Sequence, residues 1–482
     1  MKYLTSISIY SHSNITFSLL KRLLSTNNKD GNLNLKSEVP IVKGLPIVGT
    51  AFSILAAGGG KKLHEYIGKR HQEYGPVFRE KLGPIDAIWV SDPADMKLLF
   101  AQEGKHARHI LPEAWLLYNE TYGQQRGLYF MDGEEWWTYR KFLNKMMLVD
   151  SNKCFIESTT IILQDVLNKW KMFNGLLIEN LETDLYRISI SFMVSYLVGG
   201  VFEKCKEEVS NDINKLAYSV QQIFQSSVKF TIIPAKTAKL LKLGIWYDFV
   251  KAVDESINNA NQLVSKLMEY KGDGLLKSMS TIQDVSDNMI KRLVIDFILA
   301  AGDTTAYSTQ WALYTLGLYP EIQENLRKSL YTTCFWENEL LNNILKEVLR
   351  LYPLAPFLTR ILPYNTVLTN HIIPANSLVI MSMFSSSRNE SYFKNPNQFN
   401  PDRWKRFERN KYCGVYEPFA TLPYGFGPRS CIGQKLAHIQ MCSTISECIK
   451  GFKIQTIEPV NIVLDLITVP DSNIKIKIHK IQ

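Results

Sequence analysis

The chain has 482 residues, 46% of them hydrophobic and 21% charged, with a formal net charge of +9. That composition excludes a disordered or collagen-like polymer and supplies enough apolar surface for a large core. The positive excess suits an acidic partner or an anionic membrane surface, but lysine and arginine are spread along the chain, which argues against nucleic-acid binding.

Residues 1–29 contain no Asp or Glu and carry Lys2, Lys21, Arg22 and Lys29 among many Ser and Thr. An acid-free, basic, hydroxyl-rich leader over residues 1–35 reads as a mitochondrial transit peptide, though one poor in Arg; a leader with no address is the alternative. A hinge-like, proline-containing segment follows at residues 39–46. No run of about 18 apolar residues is present, so no spanning helix is expected. Residues 75–92 read as short strands divided at Gly83-Pro84. Residues 133–270 are mainly helical, with a break near Pro234. Within them, residues 230–246 mix Phe230, Ile233 and Trp246 with Lys236, Lys239 and Lys242. Such a stretch either rests on a membrane surface or simply presents a solvated face.

Residues 287–318 carry one helical pattern. Ile290, Leu293, Val294, Phe297, Ile298 and Ala301 recur on a single face. Prolines and short β-like runs such as 377–383 occupy residues 353–401. Helix returns after Gly433, and residues 462–478 alternate as a final hairpin would. The expected class is mainly α with small β-sheets. Length alone would suggest about three domains.

Four constellations carry chemistry. Residues 422–433 form a glycine-rich loop bearing Cys431. Gly425, Gly427 and Gly433 allow unusual backbone angles and close approach of a flat ligand. Arg429 offers a fixed cation for a carboxylate. A helix expected from Gln434 places Cys431 near a positive dipole end, which favours the thiolate, a soft ligand for iron. A dinucleotide fingerprint fails here, because Ser430 stands where its third glycine would be. The seven cysteines are odd in number and form no Cys-x-x-Cys pair, so neither a disulfide framework nor a zinc site is indicated.

Ala300-Ala301-Gly302-Asp303-Thr304-Thr305 weakens the middle of the long helix, and local opening of its ladder would make a groove. An acid beside an alcohol can relay protons; a polar kink in a core helix is the bland reading. Glu347 and Arg350 sit at i and i+3 on one helix face. Trp136 and Arg140 are one helical turn apart.

Together these motifs resemble the cytochrome P-450 superfamily, in which an aromatic, Gly, any, Gly, any, Arg, any, Cys, any, Gly pattern surrounds the haem-ligating cysteine. Every fixed position matches except that Tyr424 replaces the usual Phe. The resemblance implies one haem-enclosing domain over residues 36–482 and haem b held by Cys431. It implies Trp136, Arg140, Arg360 and Arg429 as partners of the propionates. It implies Asp303 and Thr304 as a proton-delivery pair, with Ala301 in place of the usual Gly. Glu347, Arg350 and Arg403 would be a structural ionic cluster. The missing apolar anchor points to the mitochondrial class, whose electron donor is a small acidic ferredoxin. Lys346 and Lys435 would meet it, although Asn342 and Gln434 stand where relatives carry further bases.

Residues 297–313, 349–357 and 467–471 are similar to the insect mitochondrial ecdysteroid 2-hydroxylases. The resemblance then implies molecular oxygen as co-substrate and conversion of 2-deoxyecdysone to ecdysone, on a protein peripheral to the inner mitochondrial membrane. Two alternatives stay open: a mitochondrial monooxygenase of another sterol, lipid or xenobiotic, and a non-oxidising haem protein or isomerase.

Overall fold

The computed structural model describes residues 38–46, 48–83, 85–123, 127–147, 152–231, 233–282, 285–409 and 411–481. The leader expected over residues 1–35 lies outside them.

The principal helices are α1 (Leu63–Tyr74), α2 (Pro93–Gln102), α3 (Glu113–Tyr122), α4 (Gly133–Met147), α5 (Asn152–Lys171), α6 (Leu181–Val198), α7 (Phe202–Val228), α8 (Ala235–Leu240), α9 (Gly244–Glu269), α10 (Asp287–Leu318), α11 (Glu339–Leu351) and α12 (Gln434–Gly451). The axis of the fold is α10, which packs against α6, α9, α11 and α12. Its start is set locally: the Ser286 side chain accepts from the Met289 amide at 3.3 Å, and Asp287 faces the positive helix end. Pro320 opens the next helix and cannot continue this one. At 32 residues the helix runs about 48 Å. Ile290, Leu293, Val294, Phe297 and Ile298 are buried on the face that the apolar spacing marks.

The helix is unbroken through the Asp303-Thr304 region. Thr304 Oγ1 donates to the Ala300 carbonyl at 2.9 Å, and Ser308 and Thr309 bond back to Thr304 and Thr305 at 2.9 and 2.8 Å. The hydroxyls therefore supplement the ladder, and the groove expected from its opening is not made that way.

A four-stranded sheet lies to one side, in the order β1-β2-β6-β3. Strands β1 (Val77–Leu82) and β2 (Ile85–Val90) form the hairpin expected around Gly83; β3 is Phe357–Ile361 and β6 is Leu378–Ser382. Strand β6 runs parallel to β2 and antiparallel to β3. Two small hairpins intervene or follow, β4 (Thr366–Leu368) with β5 (His371–Ile373) and β7 (Arg406–Glu408) with β8 (Lys411–Tyr412).

The tail forms the expected hairpin over its first part, while its last strand pairs elsewhere. Strand β10 (Ile462–Asp465) pairs with β11 (Ile467–Pro470) across Leu466, whereas β12 (Ile476–Lys480) pairs with β9 (Phe452–Thr456). The reason is burial. Ile474, Ile476 and Ile478 alternate onto the same core as Phe452 and Ile454, so their period reports a shared buried face rather than a partner within the tail.

Most buried side chains join one core built around α6, α7, α10, α11 and α12. A separate apolar cluster joins α3, α8 and α9 through Trp115, Tyr118, Ala235, Trp246 and Phe249. Among the described residues one helical stretch, within Leu181–Ser227, is long and apolar enough to cross a membrane. This stretch is α6 with α7, and 72% of its apolar window is buried inside the protein.

Candidate active site

The cysteine loop folds back on itself before α12 begins. Gly425 N donates to Leu422 O at 2.9 Å, Ser430 N to Gly427 O at 3.1 Å, and Cys431 N to Tyr424 O at 2.8 Å. Gly427 has φ 76°, and a Cβ there would lie 1.9 Å from Glu103 Oε1, so only glycine fits. A Cβ on Gly433 would meet nothing within 4 Å, which leaves open space beside Cys431.

Cys431 is exposed at the loop's surface. The protein packed around it nevertheless raises the thiol above its ordinary pKa, against the lowering effects of the Gly433 amide and the Arg140 guanidinium. The expectation that the helix dipole favours thiolate is thus outweighed by burial. A thiol in this setting ionises when a metal replaces its proton.

Three guanidinium groups surround the loop. Arg140, buried on α4, donates through Nη2 to Ser430 O at 2.6 Å, while its Nε has no partner. Burial lowers its pKa to about 10, partly offset by Cys431. Arg429 lies 3.9 Å over the ring of Trp136, also on α4. It donates to Ala107 O at 3.0 Å, Met131 O at 2.8 Å and Asp132 Oδ1 at 2.6 Å. Arg360, on β3, pairs with buried Glu103 and donates to Phe426 O at 3.3 Å.

His109 was not singled out in the sequence. Both its ring nitrogens are unpartnered, and burial, with Arg429 and Arg360 nearby, lowers its pKa to about 4. Its neutral ring, like Arg140 Nε, has donor capacity that carboxylates would satisfy.

Helix α10, which packs on α12, carries the acid and alcohol residues. Asp303, Thr305 and Ala306 are buried, whereas Ala300 and Thr304 are exposed. This window is one turn long and is closed along the same face by Phe297 and Ser308, at 6% and 5% exposure. Ala301, beside Thr304, and Ile432 and Leu436, beside Cys431, pack on one core. A soft sulfur donor, open space beside it at Gly433 and clustered cations with unbonded donors fit a flat dianionic macrocycle such as haem b.

The ionic cluster lies behind the loop. Glu347 Oε1 accepts from Arg350 Nη2 at 2.8 Å, Arg403 Nε at 2.7 Å and Asn400 N at 3.1 Å. Its Oε2 accepts from Arg350 Nε and Trp404 Nε1, both at 2.9 Å. Arg350 and Arg403 also collect backbone carbonyls of Ser387, Pro396, Gln398 and Gly414, which fixes the irregular segment leading to the cysteine loop.

Lys346 is half-buried, its Nζ 5.9 Å from the Trp404 ring centroid. Burial and Arg406 lower its pKa. Asn342 Oδ1 meets His438 Nε2 at 2.6 Å. Lys435 is half-buried on α12.

The cytochrome P450 family model matches residues 39–478. The chain belongs to the cytochrome P450 family. It is a haem-binding oxidoreductase of that family. It is 34% identical over 468 residues to the Drosophila melanogaster protein named cytochrome P450 315a1, mitochondrial, covering 92% of this chain and 88% of that one. It is 28% identical to the mitochondrial cholesterol side-chain cleavage enzyme of Equus caballus, covering 86% and 84%, and 27% identical to that of Hypanus americanus, covering 85% and 84%. Its fold matches a retinoic acid-bound cyanobacterial structure, CYP120A1, with a TM-score of 0.75 at 19% identity, over 92% of this chain and 99% of the other.

Proposed function

We propose that this P450 is a mitochondrial monooxygenase that hydroxylates a steroid, converting 2-deoxyecdysone to ecdysone. The observations that carry the reading are the accessible Cys431 in its glycine-rich loop and the one-turn exposed window of α10 that ends on Thr304 and borders buried Asp303. The similarity over nine-tenths of the chain to a mitochondrial insect P450, and to mitochondrial enzymes of cholesterol cleavage, supports the organelle and the sterol-like substrate.

When bound, haem supplies oxygen activation and one-electron chemistry. Cys431 would hold the iron through its sulfur, and Arg140, Arg360, Arg429 and Trp136 would orient the propionates. Burial raises the Asp303 carboxyl well above its ordinary pKa, against the opposing effect of Tyr186. The surroundings of Asp303 therefore favour its protonated form, from which it can pass a proton to Thr304. Thr304 Oγ1 already donates to Ala300 O at 2.9 Å and must turn from it to relay that proton into the window. Glu347, Arg350 and Arg403 hold the cysteine segment.

Electrons would come from an acidic ferredoxin on the cysteine side, with Lys435 and Lys346 as contacts. Leu240 and Leu241, 80% and 61% exposed at the end of α8, support peripheral membrane contact, while Trp246 is buried beneath them.

Reconstitution with ferredoxin, its reductase and 2-deoxyecdysone tests the reading. Ecdysone is the expected product. Turnover of another lipid without ecdysone would remove the substrate assignment, and haem binding without any oxidation would favour the non-oxidising alternative.

A further inference from the structure

Asp303 can deliver only one proton before it must be recharged, and it is 2% exposed. On its buried side, toward α6, lies a set of hydroxyl and carboxyl groups that the reaction described above does not use. Tyr186 of α6 is fully buried, and its hydroxyl has no hydrogen-bond partner. Asp303 Oδ1 is likewise without a partner. The two are each other's electrostatic neighbours, and Tyr307, one helical turn beyond Asp303, also adjoins Tyr186, with ring centroids 5.8 Å apart. The Tyr307 hydroxyl donates to Glu182 Oε1 at 3.0 Å. That oxygen also accepts from Gln221 Nε2 of α7 at 3.4 Å. Glu182, in the first turn of α6, and Gln221 are half-buried, and Thr183 beside them is exposed.

We propose that Tyr186, Tyr307 and Glu182 form an internal relay that reprotonates Asp303 from the solvent at the start of α6. The proposal rests on the reading of Asp303 as the proton donor and adds the route by which it is refilled. The Asp303 carboxylate takes the Tyr186 proton, Tyr186 takes that of Tyr307, Tyr307 takes one from Glu182, and Glu182 recovers one from water. Tyr186, Tyr307 and Glu182 each give one proton and gain one, so the net transfer is a single proton from solvent to Asp303. The environment of the four groups favours their protonated forms. Burial raises the pKa of each, and their neighbours modify that effect: Tyr186 for Asp303, Asp303 for Tyr186, Glu182 for Tyr307, and Tyr307 with Gln221 for Glu182. Among these four groups and Gln221 no guanidinium or ammonium group intervenes.

A purely structural role would make the same contacts a staple between α6 and α10. Proton movement separates the two roles. On the full-length, haem-loaded protein, the infrared carboxyl band of protonated Asp303 is identified by its loss in Asp303→Asn, and its deuterium uptake is followed after mixing with D2O. The relay predicts uptake slowed about 10²-fold in Tyr307→Phe, Tyr186→Phe and Glu182→Gln, at the lower edge of what positioned proton transfer contributes. It also predicts an unchanged substrate KM, a larger solvent isotope effect on kcat and more peroxide per electron consumed. Glu182→Gln keeps the acceptor for Tyr307, so its fold is maintained. Wild-type uptake in all three variants, or no carboxyl band from Asp303, would overturn the relay. Undiminished coupling in both Asp303→Asn and Thr304→Ala would overturn the parent reading instead. Loss of coupling in those two, with none in the relay variants, would leave the parent reading and remove the relay.

Discussion

Replacing Glu347 by glutamine keeps the side chain's shape and removes its charge, in a place where five donors converge on two oxygens. The amide oxygen can serve the three donors that meet Oε1. Its NH2 group then faces Arg350 Nε and Trp404 Nε1, which are themselves donors. Arg350 and Arg403 are 0% and 2% exposed, so water cannot substitute. Hydrogen bonds to charged groups contribute roughly 1.5–3 kcal/mol each. Leaving a buried charge unpaired costs about 3–5 kcal/mol. Both figures describe the same loss from two directions and are not summed. A destabilisation of about 3–5 kcal/mol is a large part of a typical stability of roughly 5–15 kcal/mol. It corresponds to a fall in unfolding temperature on the order of 3–5 °C in a chain of this size. The assay is thermal unfolding followed by circular dichroism, with the carbon monoxide difference spectrum taken at each temperature. The haem signal is expected to fail at or below the temperature at which helix is lost, because the cluster holds the segment leading to Cys431. A glutamine variant that matches the wild type in both measurements would refute the reasoning.

Cys431→Ala is expected to abolish the red-shifted band of the reduced carbon monoxide complex; a retained band would remove Cys431 from the iron. Asp303 has a raised carboxyl pKa, so the folded state holds its proton where the unfolded state has lost it. Its contribution to stability is therefore greatest at low pH and declines as pH rises above the ordinary value of 3.8 toward the folded one. Asp303→Asn should flatten that decline, and an unfolding temperature that falls equally in both proteins from pH 5 to pH 8 would contradict it. Leu240→Ser with Leu241→Ser should weaken partitioning onto anionic vesicles roughly tenfold or more, since burying each leucine is worth roughly 1.5–3 kcal/mol; co-flotation at wild-type levels would rule out this edge as the contact.

Elements governed by local chemistry were legible in the sequence. The ends of α10 follow from Ser286 and Pro320, its buried face from apolar spacing, and the start of α12 from the glycine-rich loop before it. Contacts that depend on chain-distant partners were not. Nothing in the neighbourhood of Glu103, His109 or Asp132 announces that they meet Arg360 and Arg429, and Tyr186 lies more than a hundred positions from Asp303. The tail hairpin was legible over residues 462–470, but the partner of Ile476–Lys480 was not, because alternation reports burial of one face and is silent on which strand supplies the neighbour.

The cationic clamp on the segment before the cysteine loop grips peptide carbonyls. Arg350 and Arg403 are held to the main chain of residues 387–414, while the side chains of Lys394, Asn395 and Gln398 face solvent. The segment is thus tolerant of substitution along most of its length, with Asn395 restricted by its φ of 48°. Sequence drift there can reshape the outer surface on the cysteine side, and with it the choice of docking protein, without disturbing the bond to the iron.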